Sequence, residues 1–79
     1  MSMIRYKNLG GNSSISQYEI GVDYIVVEFY GSVKMYKYTY STAGKANIEN
    51  AKKLAIRGFG LGSFIQKNMK YNFERWNAK

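Results

Sequence analysis

Between Val22 and Tyr40 apolar positions crowd together, alternating with polar ones from Tyr36 onward. Two dense runs, "VDYIVVEFY" (22–30) and "VKMYKYTY" (33–40), are rich in β-branched and aromatic residues, as strands lying on a core are. An earlier run, "SSISQYEI" (13–20), reads as a further strand with Gly21 at the turn that follows. Gly31-Ser32 joins the two dense runs, and glycine at the first position of a two-residue loop is the mark of a type II′ hairpin. After "STAG" the period becomes helical: Ile48, Ala51, Leu54 and Ala55 share a face, which predicts a helix from about Lys45 to Arg57. "GFGLG" stops it. A second helix is expected from Ser63, where Ser63 and Gln66 have capping-box spacing, with Ile65, Met69, Phe73 and Trp76 as its apolar stripe.

Strands first and helices after predict an α+β fold: an antiparallel three-stranded meander followed by two helices packed on one sheet face. Residues 1–12 read as an N-terminal arm in which Ile4 and Tyr6 form either an extra strand or a capping segment. Residues 13–79 read as a single domain.

Turn parity decides what the tyrosine ladder Tyr36, Tyr38 and Tyr40 does. With a two-residue turn at Gly31-Ser32, Tyr30 pairs with Val33 and Phe29 with Lys34. Val27 then pairs with Tyr36, Ile25 with Tyr38 and Asp23 with Tyr40. The ladder joins the more apolar face and belongs to the core, with Tyr40 the most exposed of the three. An odd loop would place it with Tyr24, Val26, Glu28 and Tyr30, as a platform for stacked bases. In the favoured register the second face carries Tyr24, Val26, Glu28, Tyr30, Val33, Met35, Lys37 and Thr39. Tyr24 and Tyr30 with Lys37 form an aromatic and basic candidate surface there; a dimer interface or packing by the N-terminal arm is the alternative.

Composition narrows the chemistry. The 79 residues include no cysteine and no histidine, which removes the two commonest zinc ligands and the usual general base near neutral pH. Among five acids no carboxylate pair emerges, and no nucleophile has a base beside it, so neither catalysis nor a cofactor is expected. Twelve basic residues give a net charge of +7, favouring a polyanion partner: RNA, DNA or an acidic protein surface. Plain solubility is the other explanation of that charge. The longest apolar run, "YIVV", is too short to cross a bilayer, and the N-terminus lacks the apolar core of a signal peptide, so a cytoplasmic setting is expected.

The alternating glycines of "RGFGLGS" (57–63) precede a helix, where exposed N–H groups hold phosphate. The segment follows a helix rather than a strand and lacks a GK[ST] ending, which excludes a dinucleotide fingerprint and a P-loop. It is similar to the glycine-rich loop that clamps RNA backbone in KH domains, without the G-x-x-G spacing. A simple interhelix turn uses the same glycines. Arg57, Lys67, Lys70 and Lys52, with Gly60 and Gly62, are the candidate phosphate contacts. The spacing sets Glu49 against Lys53 and Lys70 against Glu74, leaving Lys52, Arg57 and Lys67 without such acidic partners.

The chain resembles the KTSC domain family, a small domain also found at the C-terminus of some lysyl-tRNA synthetases and as stand-alone bacterial or phage proteins. The matching residues are Ser13-Ser14-x-x-x-Tyr18-Glu19, Ile25-x-Val27-x-Phe29, Gly31, Tyr38-x-Tyr40, Ala55, Gly60-x-Gly62, Phe64 and the basic stretch from Lys67 to Tyr71. The family's Val-Pro before the first helix is Ala43-Gly44 here, and its Tyr-Phe-Asn is Phe64-Ile65-Gln66. The resemblance implies a module associated with RNA. The expectation is therefore a non-enzymatic module that binds RNA or another nucleic acid with low sequence specificity. The alternative is a protein-interaction or assembly module, homodimeric through the apolar sheet face.

Overall fold

The computed structural model of the protein describes residues 3–11, 13–31 and 35–74. Four antiparallel strands lie in chain order: β1 (Ile4–Arg5), β2 (Ile15–Ile20), β3 (Tyr24–Phe29) and β4 (Met35–Thr39). Three helices follow: α1 (Tyr40–Ala43), α2 (Lys45–Arg57) and α3 (Leu61–Asn68). The fold is α+β, with the helices against one face of the sheet. The expected meander is present, extended by the two-residue β1. Among the described residues no helix is long and apolar enough to cross a membrane.

The register agrees with the parity argument: Ile25 stands opposite Tyr38 and Val27 opposite Tyr36. All four side chains therefore face the helices, and Ile25, Val27 and Tyr38 are buried. Fully burying such side chains stabilises a fold by about 1.5–3 kcal/mol each. Tyr38 sits at 2% exposure, and burial pushes its hydroxyl up to about 12. Gly31 has the positive φ of a turn glycine, +79°. The expected partners Lys34 and Val33, and Ser32 of the turn, lie outside the described residues.

In β2 the alternation needs a correction that periodicity alone does not supply. Ile15 opposes Phe29 whereas Gln17 opposes Glu28, so Ser16 is an extra residue in the ladder, and its hydroxyl donates to the Glu28 carbonyl at 3.1 Å. This bulge shifts the phase by one residue. It sets Ile15 on the same buried face as Tyr18, which opposes Val27. Ala43, Ile48, Ala51, Ala55, Leu61, Ile65 and Met69 complete the core from the helical side.

Three expected boundaries move. Strand β4 ends at Thr39, because Thr39 and Thr42 form a reciprocal capping box that starts α1. Tyr40 thus leaves the ladder, although its N–H still reaches the Asp23 carbonyl at 3.0 Å. Helix α3 begins at Leu61 rather than Ser63, and no side chain caps it. Its start is set by Gly60 in the left-handed conformation (φ +85°) and by the Leu61 N–H, which donates to the Tyr6 hydroxyl at 3.1 Å. It ends at Asn68, so Phe73 lies beyond it and still packs edge-on against Tyr36, with centroids 4.8 Å apart. Trp76 lies outside the described residues.

Candidate nucleic-acid interface

The junction between α2 and α3 is built around two left-handed glycines. Gly58 (φ +82°) returns its N–H to the Leu54 carbonyl and ends α2. A Cβ at this position would lie 2.6 Å from the Cβ of Lys7. The N-terminal segment can cross the junction only because residue 58 has no side chain. It is held there by the Leu9 N–H, which donates to the Gly58 carbonyl at 2.8 Å. Asn8 then clasps Ser13: its side-chain oxygen accepts from the Ser13 N–H at 3.1 Å and its amide donates to the Ser13 carbonyl at 3.3 Å. Tyr6, 2% exposed, anchors the crossing in the core beside Tyr18.

A cavity of about 540 Å³ opens between these segments. Gly60, Gly62, Ser63, Gln66 and Lys67 line it from the junction and α3, and Asn8, Ser13 and Ser14 from the N-terminal part; Phe29 and Phe59 also line it. A first helical turn leaves N–H groups without intrahelical partners, and Gly62 and Ser63 of that turn border this cavity. A second depression of about 440 Å³ shares Ser14, Phe29 and Gln66 with the first and is lined further by Tyr30, Tyr36, Lys70, Tyr71 and Phe73. Because they share Ser14, Phe29 and Gln66, the two hollows adjoin and together make one trough, running from the first turn of α3 (Gly62, Ser63) past its end to Lys70. Among the described residues no aspartate or glutamate lines either hollow.

The candidate residues therefore divide. Gly60, Gly62 and Lys67 line the first hollow, while Lys70 and Tyr30 line the second. Arg57 stands beside them, its guanidinium 5.6 Å from the Phe59 ring centre. Lys70 lies 5.2 Å from the ring centre of Tyr71.

Lys37, Lys52 and Tyr24 are elsewhere. Contrary to the spacing argument, Lys52 has an acidic partner: its ammonium is 3.0 Å from Glu49 and donates to the Val22 carbonyl at 2.8 Å. The Tyr40 hydroxyl donates to the same Glu49 carboxylate at 2.6 Å, so Glu49 is engaged by Tyr40 and Lys52 rather than by Lys53. These bonds, Tyr40 first, hold the Glu49 carboxyl below its ordinary range. Glu74 similarly goes to Lys37, at 3.8 Å, instead of Lys70, because the chain after α3 returns alongside β4 and the Glu74 N–H donates to the Lys37 carbonyl.

The second sheet face is less apolar than its residue count suggests. Tyr24 donates to Glu19 at 2.9 Å, a bond that raises the Tyr24 hydroxyl above its ordinary value. Lys37 lies 4.6 Å from the centre of the Tyr24 ring, and Gln17 bonds to Glu28. Val26, between cross-strand neighbours Glu19 and Lys37, is completely buried. Tyr24 and Lys37 thus form a pair, but Tyr30 lines the trough rather than standing with them.

Sequence reasoning missed Asn8, Ser13, Ser14, Phe59, Tyr71 and Phe73 as trough residues. The signal for the last two was the asparagine at Asn68, a common helix stop, which releases the following aromatics from the helix. The lining by Asn8, Ser13 and Ser14 arises from the Asn8–Ser13 clasp, which no periodicity reports. No family model matches the chain, and no curated protein or solved structure matches it either.

Proposed function

We propose that this chain is a non-enzymatic module that binds RNA or another nucleic acid with low sequence specificity, holding backbone phosphates along the α2–α3 junction. One observation carries this reading. Lys67 and Lys70 line a trough that has no carboxylate in its lining among the described residues, and Arg57 stands against Phe59 of that lining, on a chain of net charge +7. Cations without acidic neighbours keep their full attraction for phosphate, and the release of condensed counterions supplies the affinity. Lysine ammoniums and backbone N–H groups contact phosphates rather than base edges, which accounts for low sequence specificity. The resemblance to KTSC domains belongs to the same proposal, as does a cytoplasmic setting.

The test is an equilibrium titration of labelled RNA and DNA oligonucleotides at rising salt. Three phosphate contacts give a slope of log K against log salt of about −2 to −3. Failure of every oligonucleotide to bind at low salt rejects the reading, and so does binding that ignores salt.

A further inference from the structure

We infer that the trough receives a single-stranded polynucleotide, with unpaired bases against the aromatic rings of its second hollow and phosphates on Lys67 and Lys70; this rests on the nucleic-acid reading above. The two hollows differ in chemistry. The junction hollow offers Lys67, Ser63 and Gln66 beside glycine backbone. The second hollow is floored by aromatic rings: Phe29 and Tyr36 meet edge-on at 5.4 Å, and Tyr36 and Phe73 at 4.8 Å. Tyr30 and Tyr71, at its rim, are 57% and 77% exposed, far more than core packing requires.

Exposed rings beside lysines suit bases that have left a duplex stack, because every base has a π-face while its phosphates follow the nearby cations. Paired and stacked bases inside a duplex present no face to such rings, so a duplex can use only the lysines. The charge pattern also argues for this occupant. Lys67 and Lys70 border the trough, and among the described residues no acid lines it. A basic peptide would find no counter-charge there. An acidic peptide would match the lysines but leave the aromatic hollow without flat partners.

The experiment compares three probes of equal length at one low salt concentration: single-stranded RNA, single-stranded DNA and a DNA duplex. Binding to the intact chain is followed by fluorescence anisotropy, with Tyr71→Ala, Tyr30→Ala and an acidic peptide as further arms. Both tyrosines are largely exposed, so the variants are expected to fold, which circular dichroism verifies. The expected result is tighter binding of both single strands than of the duplex. Tyr71→Ala or Tyr30→Ala should weaken single strands about fivefold or more, the lower end for a stacked base, and leave duplex binding within about twofold. Equal affinity for single strand and duplex overturns the inference while the nucleic-acid reading stands, as does single-strand binding indifferent to both variants. If only the acidic peptide binds, or if nothing does, both fall.

Discussion

The protein carries lysines and tyrosines on both sides of its sheet, and the two sides treat them differently. On the second face Lys37 meets Glu74, and Tyr24 donates to Glu19. At the sheet edge Lys52 and Tyr40 converge on Glu49. At the end of α3 and just past it, by contrast, Lys67 and Lys70 border hollows that no acid lines among the described residues, and Lys70 has a tyrosine ring for a neighbour. Residue counts are similar, but the electrostatic outcome is not. A cation held 3 Å from a carboxylate has much of its field cancelled locally, whereas an unopposed one projects it toward solvent. Charge becomes a candidate site only where the fold withholds the compensating acid.

The tyrosines show the same division, and the largest effect is expected there. Tyr38 is buried among Ile25, Val27 and the helices, so Tyr38→Ala should destabilise the fold by about 3–5 kcal/mol, read from the denaturant midpoint. Tyr71→Ala, at an exposed position, should change stability by no more than about 0.5 kcal/mol while weakening nucleic-acid binding. Equal stability losses in the two variants would erase the distinction between core and trough tyrosines.

Next in size is the pH response of that buried tyrosine. The Tyr38 hydroxyl is raised from 10.0 to about 12 by burial, so the fold favours its neutral form. The associated stability is fully present below pH 10 and is lost as pH rises toward 12, by on the order of 2 kcal/mol. Tyr38→Phe should flatten that alkaline loss in pH-dependent unfolding. Glu49 behaves oppositely: its lowered carboxyl stabilises the fold above its unfolded value of about 4.5, and the contribution fades as pH falls through the folded one. Glu49→Gln should remove that acid-side slope.

At the junction, Gly58→Ala should cost about 1–3 kcal/mol, since it combines a left-handed backbone with a Cβ lying 2.6 Å from that of Lys7. Loss of the Leu9–Gly58 hydrogen bond, visible as faster exchange of the Leu9 amide, would show that the crossing segment has lifted. The smallest effect separates the lysines. Replacing Lys67 and Lys70 together by Gln should reduce the salt slope for single strands by about 1.4, two phosphates' worth, whereas replacing Lys37 and Lys52 should leave it nearly unchanged. Equal reductions would show that total charge, not its placement, governs binding.

Much of the architecture was legible because it rests on local signals. Helix α2 spans Lys45–Arg57 as its periodicity predicts, and the pairing of Ile25 with Tyr38 follows from turn parity. Position-specific backbone events were not legible in the same way. The bulge at Ser16 changes phase without altering composition, and the capping box formed at T-x-x-T (Thr39 to Thr42) rather than at Ser63. Gly60 and the Tyr6 hydroxyl, 55 positions from Leu61 along the chain, set where α3 starts. The candidate site was half readable. The glycines and lysines of the junction announced themselves, but Lys52 looked unopposed because its Glu49 partner stands at i,i+3, a pairing the i,i+4 count did not consider. The aromatic half of the trough depends on α3 ending at Asn68, an end that the apolar stripe continuing through Phe73 concealed.

The most direct measurement of the claim that the acid-free trough is the binding surface is a residue-by-residue NMR titration with a short single-stranded oligonucleotide at low salt. Shifts should concentrate at Gly60, Gly62, Ser63, Gln66, Lys67, Lys70 and Tyr71 and spare Gln17, Glu19 and Val26. Shifts confined to Gln17, Glu19, Tyr24 and Lys37, or none at saturating oligonucleotide, would contradict it.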